Sequence, residues 1–171
     1  YRVAIHQENE GEIQRGISVQ HPLGVALRND FPDAKVSRIH WYYNGVMKVV
    51  NEQGVERKLK INEPAAFVEQ DFFEMFDFDI IAGNPKELLT RPNTAVMSAA
   101  MADKLFDLNG SGYQSILGKV IRYENKLDLT ITGVYANPPK NSDYAIDLLM
   151  EYQGAKIYPY ANGLTSWGTR N

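Results

Sequence analysis

The residues from Glu69 to Ile80, EQDFFEMFDFDI, are the first candidates for chemistry in this chain, since five carboxylates stand among four phenylalanines. Asp77 and Asp79 are two residues apart, so on a strand both would project from one face, as the ligands of a D-x-D metal site do. A hard cation such as calcium takes about six to eight oxygen ligands, and the segment lacks the Asp, Asn and Gly spacing of a calcium loop. Apolar residues alternate with both carboxylates up to Gly83, which predicts a strand with Asp77 and Asp79 on its solvent face and no metal site.

The other acids of this stretch, except Glu69, have structural roles that follow from the local sequence. Asp71 and Glu74 have the spacing of a capping box, with Asp in place of Ser or Thr, so Asp71 would accept hydrogen bonds from backbone N–H groups of the first turn. Phe72 and Phe76, four residues apart, would then point to one face of a short helix. The stretch is therefore predicted to be core and helix caps rather than an active site.

The other residue types that carry chemistry form no recognisable site. His6, His21 and His40 lie far apart and have no metal-ligand spacing. His6 and His40 fall on predicted strands and could meet in space to share a metal or an acid–base role, but we expect ordinary structural positions. The chain has no cysteine, which excludes disulfides, thiolate metal sites and a cysteine nucleophile. No G-x-S-x-G elbow, P-loop or dinucleotide glycine pattern occurs, so we predict no catalytic residue, no metal ligand and no cofactor site.

Aromatic residues crowd the stretch from Glu151 to Trp167, EYQGAKIYPYANGLTSW. Such density can form a surface that stacks sugars or peptides. We favour the alternative that these rings pack under a loop or against other parts of a parent protein. Together with the loop Asn109–Ser115, this stretch is where a ligand would bind if the domain were a sensor.

The composition indicates a substantial core and excludes nucleic-acid binding as the expected function. The 171 residues suggest one domain or two intimately packed subdomains, and a hydrophobic content of 44% is enough to bury a core. The net charge is −3 with scattered basic residues, so nucleic acid is not expected as a partner. No window approaches the ~18 apolar residues of a membrane-spanning helix, and no signal segment opens the chain. The strand-like start YRVAIHQ and the end SWGTRN suggest that both ends continue into a longer protein.

The hydrophobic pattern predicts a meander of antiparallel strands in the first half of the chain. Tight-turn pairs at Asn44-Gly45 and Gln53-Gly54 separate three apolar-patterned segments. These segments cover 35–43, 46–52 and 55–61. Before them, the alternation of apolar and polar residues in YRVAIH predicts a strand. A helix is predicted to follow, with Pro22 in its first turn.

The second half of the chain adds more strands and one clear helix. AAFVE is a short predicted strand, and TAVMS leads directly into a helix with Ser98 as its N-cap and AAMADKLF as its body. KVIRYEN and LDLTITGVYA form a predicted hairpin, and YAIDLLMEY is the last strand. Strands outnumber helices and mostly follow one another, so the predicted class is α+β, with an antiparallel sheet and a few short helices.

Several stretches, in order along the chain, resemble the MacB-like extracytoplasmic domain of FtsX-type ABC transporter permeases. FVEQDFFEMFDFDIIAGNP (Phe67–Pro85) is similar to the family segment pdFFe.f.f.ll.Gnp, and TAVMSAAMADKLF (Thr94–Phe106) is similar to its strand and helix vviset.AkklFg. ILGKVIRYENKLDLTITGVYANPPKNSDYAIDLLM (Ile116–Met150) resembles piGk.i.....ytVtGVl.d.P.nSh..fd.l. The opening YRV matches the position just after the first transmembrane helix. Asp143 stands where the family often has His, and the link DLNGSGYQS is longer than usual.

The resemblance implies a domain inserted between the first and second transmembrane helices of a permease, on the periplasmic side of the bacterial inner membrane. It implies a membrane-proximal subdomain from 1–66 plus 119–171 and a distal subdomain from 67–118. The expected partners are the transmembrane helices of the same permease, a cytoplasmic ATPase subunit, a second permease copy and a periplasmic protein. The domain would transmit ATP-driven movement to export a substrate or to engage that partner, and it would not be an enzyme.

Two other classes of function stay open beside the permease domain. A ligand-sensing extracytoplasmic domain would show a closed apolar pocket with converging polar groups. A hydrolase would show a contact between His6 and His40 with a carboxylate nearby. A permease domain would show an open, cleft-like surface between two subdomains, and the residues carried over from the resemblance, Gly83, Gly118 and Gly133, would be structural.

Overall fold

Eleven strands and three α-helices make up the described part of the chain. The computed structural model describes residues 2–9, 11–16, 18–43, 45–50, 54–139, 141–157 and 166–167. The strands are β1 (Ile5–Asn9), β2 (Glu12–Gly16), β3 (Ile39–Tyr42), β4 (Gly45–Val50), β5 (Glu56–Ile61), β6 (Ala65–Val68), β7 (Ile80–Gly83), β8 (Thr94–Ser98), β9 (Val120–Tyr123), β10 (Leu127–Tyr135) and β11 (Leu148–Glu151). The helices are α1 (Leu23–Asp30), α2 (Phe72–Met75) and α3 (Ala99–Phe106), with 3-10 helices at Tyr113–Ile116 and Tyr152–Ile157. Within these residues, no helix is long and apolar enough to cross a bilayer.

Nine of the strands form one mixed sheet. The strand order is β3-β6-β11-β8-β10-β9-β4-β5, and β7 also pairs with β10. The pairs β8–β10 and β6–β11 are parallel, whereas the other pairs in the sheet are antiparallel. β1 and β2 form a separate antiparallel ribbon. The predicted α+β class is confirmed, with the correction that the sheet is mostly rather than wholly antiparallel.

The predicted meander is half right. β4 and β5 pair antiparallel along the whole of β4, as expected. The hairpin predicted at Asn44-Gly45 is wrong, because β3 pairs with β6 and β4 pairs with β9. Gly45 lies so close to the Tyr123 ring of β9 that a side chain there would overlap it, so a distant contact, and not the turn propensity, sets the position of β4. Asn44 and Gln53 themselves lie outside the described residues.

The sheet separates two hydrophobic clusters. On β8, Ala95 and Met97 belong to the cluster that includes α3, whereas Val96 belongs to the cluster on the opposite face. Because β8 is covered on both faces, all five of its residues are buried, as expected for an inner strand. The second cluster contains Phe72, Tyr135 and the other aromatic side chains of the phenylalanine stretch.

Helix α3 begins where the sequence predicts. The Ser98 hydroxyl accepts a hydrogen bond from the Met101 backbone N–H at 3.1 Å, so the predicted N-cap is confirmed. The same hydroxyl donates to the Asp147 carboxylate at 2.6 Å, which ties the start of α3 to the segment before β11. Met101, Ala102 and Leu105 are buried, as their spacing predicts.

The acids of the phenylalanine stretch are structural, although one of them acts differently from the prediction. Asp77 and Asp79 are exposed, as expected, but they precede the predicted strand rather than lie on it, since β7 begins only at Ile80. The capping box is wrong: the Asp71 backbone is itself helical, with φ −61° and ψ −14°, and its side chain makes no cap hydrogen bond. Glu74 pairs instead with Lys35 at 2.8 Å, in an exposed ion pair.

Gly83 and Gly118 differ in how strictly the fold requires glycine. Both have positive φ angles, +98° and +80°. A Cβ on Gly83 would press into the Thr132 carbonyl oxygen and lie 2.9 Å from the Gly133 Cα, whereas a Cβ on Gly118 would meet nothing within 4 Å. We expect Gly83→Ala to lower the free energy of unfolding by about 2–4 kcal/mol and Gly118→Ala by about 1 kcal/mol. Urea denaturation of the two variants measures both values, and equal losses would contradict the packing difference.

All three parts of the predicted subdomain division contribute to the same sheet. β4, β8 and β10 come from 1–66, 67–118 and 119–171, respectively, and are joined through the strand order given above. The assignment of these parts to a membrane-proximal and a distal subdomain stays a prediction.

Candidate functional site

A cluster of charged side chains centred on Glu69 joins α1, the start of β3 and the end of β6. Arg38, just before β3, donates to Glu69 Oε1 from Nε at 3.0 Å and from Nη2 at 2.6 Å, and its backbone N–H donates to Oε2 at 2.9 Å. Arg28, in the last turn of α1, donates to the same carboxylate and also to the Val36 carbonyl oxygen, at 3.0 and 3.1 Å. We call Arg28, Arg38 and Glu69 the Glu69 cluster. One carboxylate thus fastens α1 and the segment before β3 to the sheet.

The Glu69 cluster sets two cations against one anion in a largely buried position. The side chains of Glu69 and Arg38 are each 16% exposed, and that of Arg28 is 32% exposed. Charge-assisted hydrogen bonds from guanidinium to carboxylate are about twice as strong as neutral ones, and at this burial water screens them less than at the surface. Arg28 also complements the dipole at the C-terminus of α1. The cluster is therefore built to hold α1 in place.

Two histidines and a tyrosine pack beside the Glu69 cluster. His21 Nδ1 lies 2.7 Å from the Tyr152 hydroxyl, and the rings of His21 and His40 have centroids 5.4 Å apart. The Arg38 guanidinium lies 4.2 Å from the centroid of the Tyr152 ring, a cation–π arrangement. Burial lowers the pKa of His21 to about 4, and the neighbouring His40 and Arg38 add to this effect. Burial also raises the pKa of Tyr152 to about 12, so neither group is poised for proton transfer near neutral pH.

We expect the stability of the domain to fall as the pH drops below neutral, because of His21. Its pKa is about 4 in the folded state and about 6.5 in an unfolded chain. Between about pH 6.5 and pH 4, the unfolded state therefore binds a proton that the folded state excludes. This contribution to stability is complete above about pH 6.5 and is lost progressively down to about pH 4.

Thermal unfolding at pH 7 and at pH 5 tests this expectation. His21→Gln should remove most of the difference in Tm between the two conditions. His6→Gln is the matched control, since it changes a histidine that is exposed on β1. A His21→Gln protein that keeps the full pH dependence would place its origin elsewhere in the chain.

An open groove of about 710 Å³ runs beside the Glu69 cluster, between α1, β3 and the phenylalanine stretch. We call it the α1 groove. Arg38 lines it together with aromatic side chains, of which Phe31 is 59% and Tyr43 57% exposed. The ring of Trp41 stacks on that of Tyr43, with centroids 6.1 Å apart and planes 7° apart. Exposed apolar surface with a polar rim is typical of a contact surface for another molecule.

The histidines are divided between the neighbourhood of the Glu69 cluster and the exposed ribbon of β1 and β2. Among the described residues, no group of three or more His, Asp or Glu side chains could hold a metal ion. His40 packs against His21, whereas His6 is exposed on β1 opposite Arg15. Glu69, the carboxylate of the neighbouring cluster, accepts hydrogen bonds from both Arg28 and Arg38.

The aromatic C-terminal stretch is divided between core and surface. Tyr152 is buried against His21, as expected for a ring that packs inside, whereas Trp167 is 59% exposed. Tyr158 and Tyr160 lie outside the described residues. The described part of this stretch forms no shared stacking surface with the α1 groove.

The loop Asn109–Ser115 is fastened to helix α3. The Asp103 carboxylate accepts hydrogen bonds from the Gly110 N–H at 3.0 Å and from the Tyr113 hydroxyl at 3.3 Å. Asp107, the C-cap of α3, also pairs with Arg57 of β5. These contacts make the loop a structured connection after α3.

Little in the local sequence pattern points to the Glu69 cluster. Arg28, Arg38 and Glu69 are separated by 10 and 31 residues, so no helix or strand period relates them. The available signals were weak ones: Glu69 is the acid of its stretch without a local role, and Arg28 stands near a predicted helix end, where cations are favoured.

Comparison with known proteins reveals a family and a fold. The profile of the MacB-like periplasmic core domain matches residues 2–165. A domain assigned to a permease from Porphyromonas gingivalis is similar, with a TM-score of 0.66 and 24% identity over 96% of this chain and 64% of that one. The periplasmic region of MacB from Actinobacillus actinomycetemcomitans is also similar, with a TM-score of 0.58 and 15% identity over 89% of this chain and 61% of that one. No curated protein matches the sequence significantly.

These comparisons confirm the resemblance found in the sequence. The chain spans less than two thirds of the length of either solved domain. At such low identities the two structures show the fold alone, whereas the profile covers nearly the whole chain and shows the family. The family consists of periplasmic parts of transporter permeases and is not a catalytic family. The chain belongs to the MacB-like periplasmic core domain family of ABC transporter permeases.

Proposed function

We propose that this domain transmits ATP-driven conformational change across the inner membrane, so that its permease exports a substrate or engages a periplasmic partner. The observation that carries the proposal is the family match over residues 2–165. The proposed partners are the transmembrane helices of the same permease, a cytoplasmic ATPase subunit, a second permease copy and a periplasmic protein. In this proposal 1–66 plus 119–171 form the membrane-proximal part and 67–118 the distal part.

Transmission of movement requires a stiff body rather than a reactive side chain. Close-packed interiors have low compressibility and pass strain from one side to the other. The mixed sheet is covered by hydrophobic clusters on both faces, and the Glu69 cluster fastens α1 to it. These features support a mechanical role.

Distances between two copies of the domain in the intact permease test the proposal. The 171 residues contain no cysteine. Lys86 is exposed, so Lys86→Cys can carry a spin label. In a parent permease otherwise free of cysteine, this label would be the only one in each protomer. With its ATPase subunit in nanodiscs, we expect pulsed electron paramagnetic resonance to show an inter-protomer distance that changes on ATP binding. An ATPase variant that does not bind ATP is the control. Identical distances with and without ATP, in a preparation that hydrolyses ATP, would overturn the proposal.

A ligand-sensing extracytoplasmic domain is the second candidate, and the α1 groove favours it. A groove of about 710 Å³ is large enough for a small amphipathic molecule, and exposed aromatic rings line it. The groove is open, however, whereas a dedicated sensor pocket encloses most of its ligand. The same spin-label experiment separates the two functions, because a sensor would move when ligand is added without ATP.

A further inference from the structure

Three cations stand directly opposite one another on the outer face of β5, β4 and β9. Lys48 in β4 is in register with Lys58 in β5 and with Arg122 in β9. We call these three residues the cationic row. Like charges at directly opposite positions of neighbouring strands destabilise a sheet. Charged side chains on an edge strand keep it from pairing with other chains, which accounts for the charges on β5, the last strand of the sheet. β4 and β9, however, are inner strands. The fold by itself therefore does not explain the row.

Carboxylates on the same face neutralise the cationic row only in part. Glu56 lies 3.3 Å from Lys48 Nζ and 3.4 Å from Lys58 Nζ, so one anion serves two cations. Asp128 accepts two hydrogen bonds from Arg122, of 2.6 and 2.7 Å. Among the residues that the structure describes on this face, the three cations of the row thus contact two carboxylates, which leaves the row with a positive surplus on a chain whose net charge is −3.

A shallow hollow beside the cationic row adds apolar surface and one more cation. Its volume is about 500 Å³, and Val50, Val120 and Lys119 line it together with members of the row. Val50 and Val120 are 59% and 52% exposed. Along β4 the outer face presents Val46, Lys48 and Val50 in succession. A complementary strand would place a carboxylate over the lysine, with apolar side chains two residues to either side.

We propose that this face docks an acidic segment of another protein, an extended stretch in which carboxylates and apolar side chains alternate at every second position, so that both lie on the face turned to the sheet. The partner's carboxylates would relieve the repulsion within the cationic row, and its apolar side chains would cover the exposed valines. An anionic bilayer surface fits less well, because it would present phosphate groups to Glu56 and Asp128 as well as to the cations, whereas an extended segment can place its carboxylates over the cationic row alone. The inference goes beyond the proposed transport function and does not depend on it.

Binding of a synthetic acidic peptide to the 171-residue chain tests the docking surface. The probe, called the Glu–Val peptide, is a capped peptide of about nine residues with Val and Glu in turn at the odd positions and Ser at the even positions, so that Val and Glu share one face. Its counterpart, the Lys–Val peptide, has Lys in place of each Glu. At low salt we expect the Glu–Val peptide to shift amide resonances of β4, β5 and β9 in NMR spectra, and the binding to weaken as salt is raised. Lys48→Glu should weaken it at least about tenfold, while the control Lys86→Glu, at an exposed position away from this face, should change it less than about twofold.

The stability of the variants separates lost binding from lost folding. In the Lys48→Glu variant the new carboxylate lies between Lys58 and Arg122, so the Tm of the variant should not fall. Lys58→Glu, at a side chain that is 62% exposed, is a second variant that should weaken binding several-fold without unfolding the domain. Undiminished peptide binding by both variants would overturn the proposal, as would equal binding of the Lys–Val peptide. Binding to phosphatidylglycerol vesicles through Lys48, without binding of the peptide, would replace the protein partner by a membrane surface.

Discussion

Phe72→Ala is expected to lower the free energy of unfolding by about 3–5 kcal/mol, the range for truncating a fully buried phenylalanine. The Phe72 side chain is fully buried. Its ring centroid lies 4.7 Å from that of Phe76, 5.5 Å from that of Phe78 and 5.9 Å from that of Tyr144. Removal of the ring would therefore leave a cavity lined by other rings, which cannot collapse without breaking their own contacts.

Phe76→Ala should cost less than Phe72→Ala, which corrects the equal effect that the sequence suggests. Both residues were expected on one buried face, but Phe76 is only partly buried at the edge of the cluster and contributes to the wall of the α1 groove. Water can therefore fill part of the space that its ring vacates.

Equilibrium denaturation in urea measures these differences, with Asp77→Ala as the matched control. Asp77 lies in the same stretch and is exposed, so its replacement should cost well under ~1 kcal/mol. If Asp77→Ala proved the more damaging change, the stretch would not be a piece of core. The slope of the denaturant dependence should stay constant, since a changed slope would indicate altered compactness of one of the two states.

Glu69→Gln is expected to lower the free energy of unfolding by about 2–4 kcal/mol, the second large effect. Removing one partner of a buried ion pair leaves the other charge uncompensated, which costs about 3–5 kcal/mol at full burial. Arg28 and Arg38 are 32% and 16% exposed, so water offsets part of the loss. Glutamine keeps the shape of the side chain, and the effect therefore reports the charge and its hydrogen bonds rather than a cavity.

Glu74→Gln is the matched control for the Glu69 substitution. Glu74 pairs with Lys35, and both side chains are more than half exposed, at 58% and 59%. Exposed pairs of this kind contribute about 0–1 kcal/mol. Equal losses for the two substitutions would show that the Glu69 cluster does not fasten α1. A double-mutant cycle of Glu69→Gln with Arg38→Met would measure the coupling free energy between Glu69 and Arg38 directly.

The same Glu69 substitution bears on the proposed function when it is placed in the intact permease. A domain in which α1 is loosened should still let the ATPase subunit hydrolyse ATP, since the proposed function assigns ATP hydrolysis to that subunit. The inter-protomer distance change on ATP binding should become smaller or broader, because strain passes less well through a loosened body. An unaltered distance change in a destabilised Glu69→Gln domain would exclude the Glu69 cluster from force transmission.

The prediction of local structure from the sequence worked where the signal and the structure involve the same few residues. Ser98 caps α3 because its hydroxyl reaches a backbone N–H three residues ahead. The hairpin of β9 and β10 joins neighbouring segments through a short turn. Asp77 and Asp79 are exposed, as the alternation of apolar and polar residues predicts, although the strand itself begins only at Ile80.

The prediction failed where another part of the chain competes with a local preference. The Asn44-Gly45 pair favours a hairpin, yet β4 pairs with β9 and β5, because its buried face packs on the core formed with distant strands. Asp71 has the spacing of a cap, but its own backbone is helical, so its side chain is not positioned to accept the bonds. In both cases the tertiary environment outweighs a preference of about 1 kcal/mol.

By itself, the sequence determined the α+β class, the absence of cysteine chemistry, the capped helix after β8 and the resemblance to a permease domain, since each depends on residue identity or on short spacings. Only the tertiary structure decided which strands are neighbours, that β6–β11 and β8–β10 run parallel, and that Glu69 meets Arg28 and Arg38. The reason is physical. Side chains tens of residues apart are brought together by burial of the whole core, and no period of a helix or strand records which partner each will find.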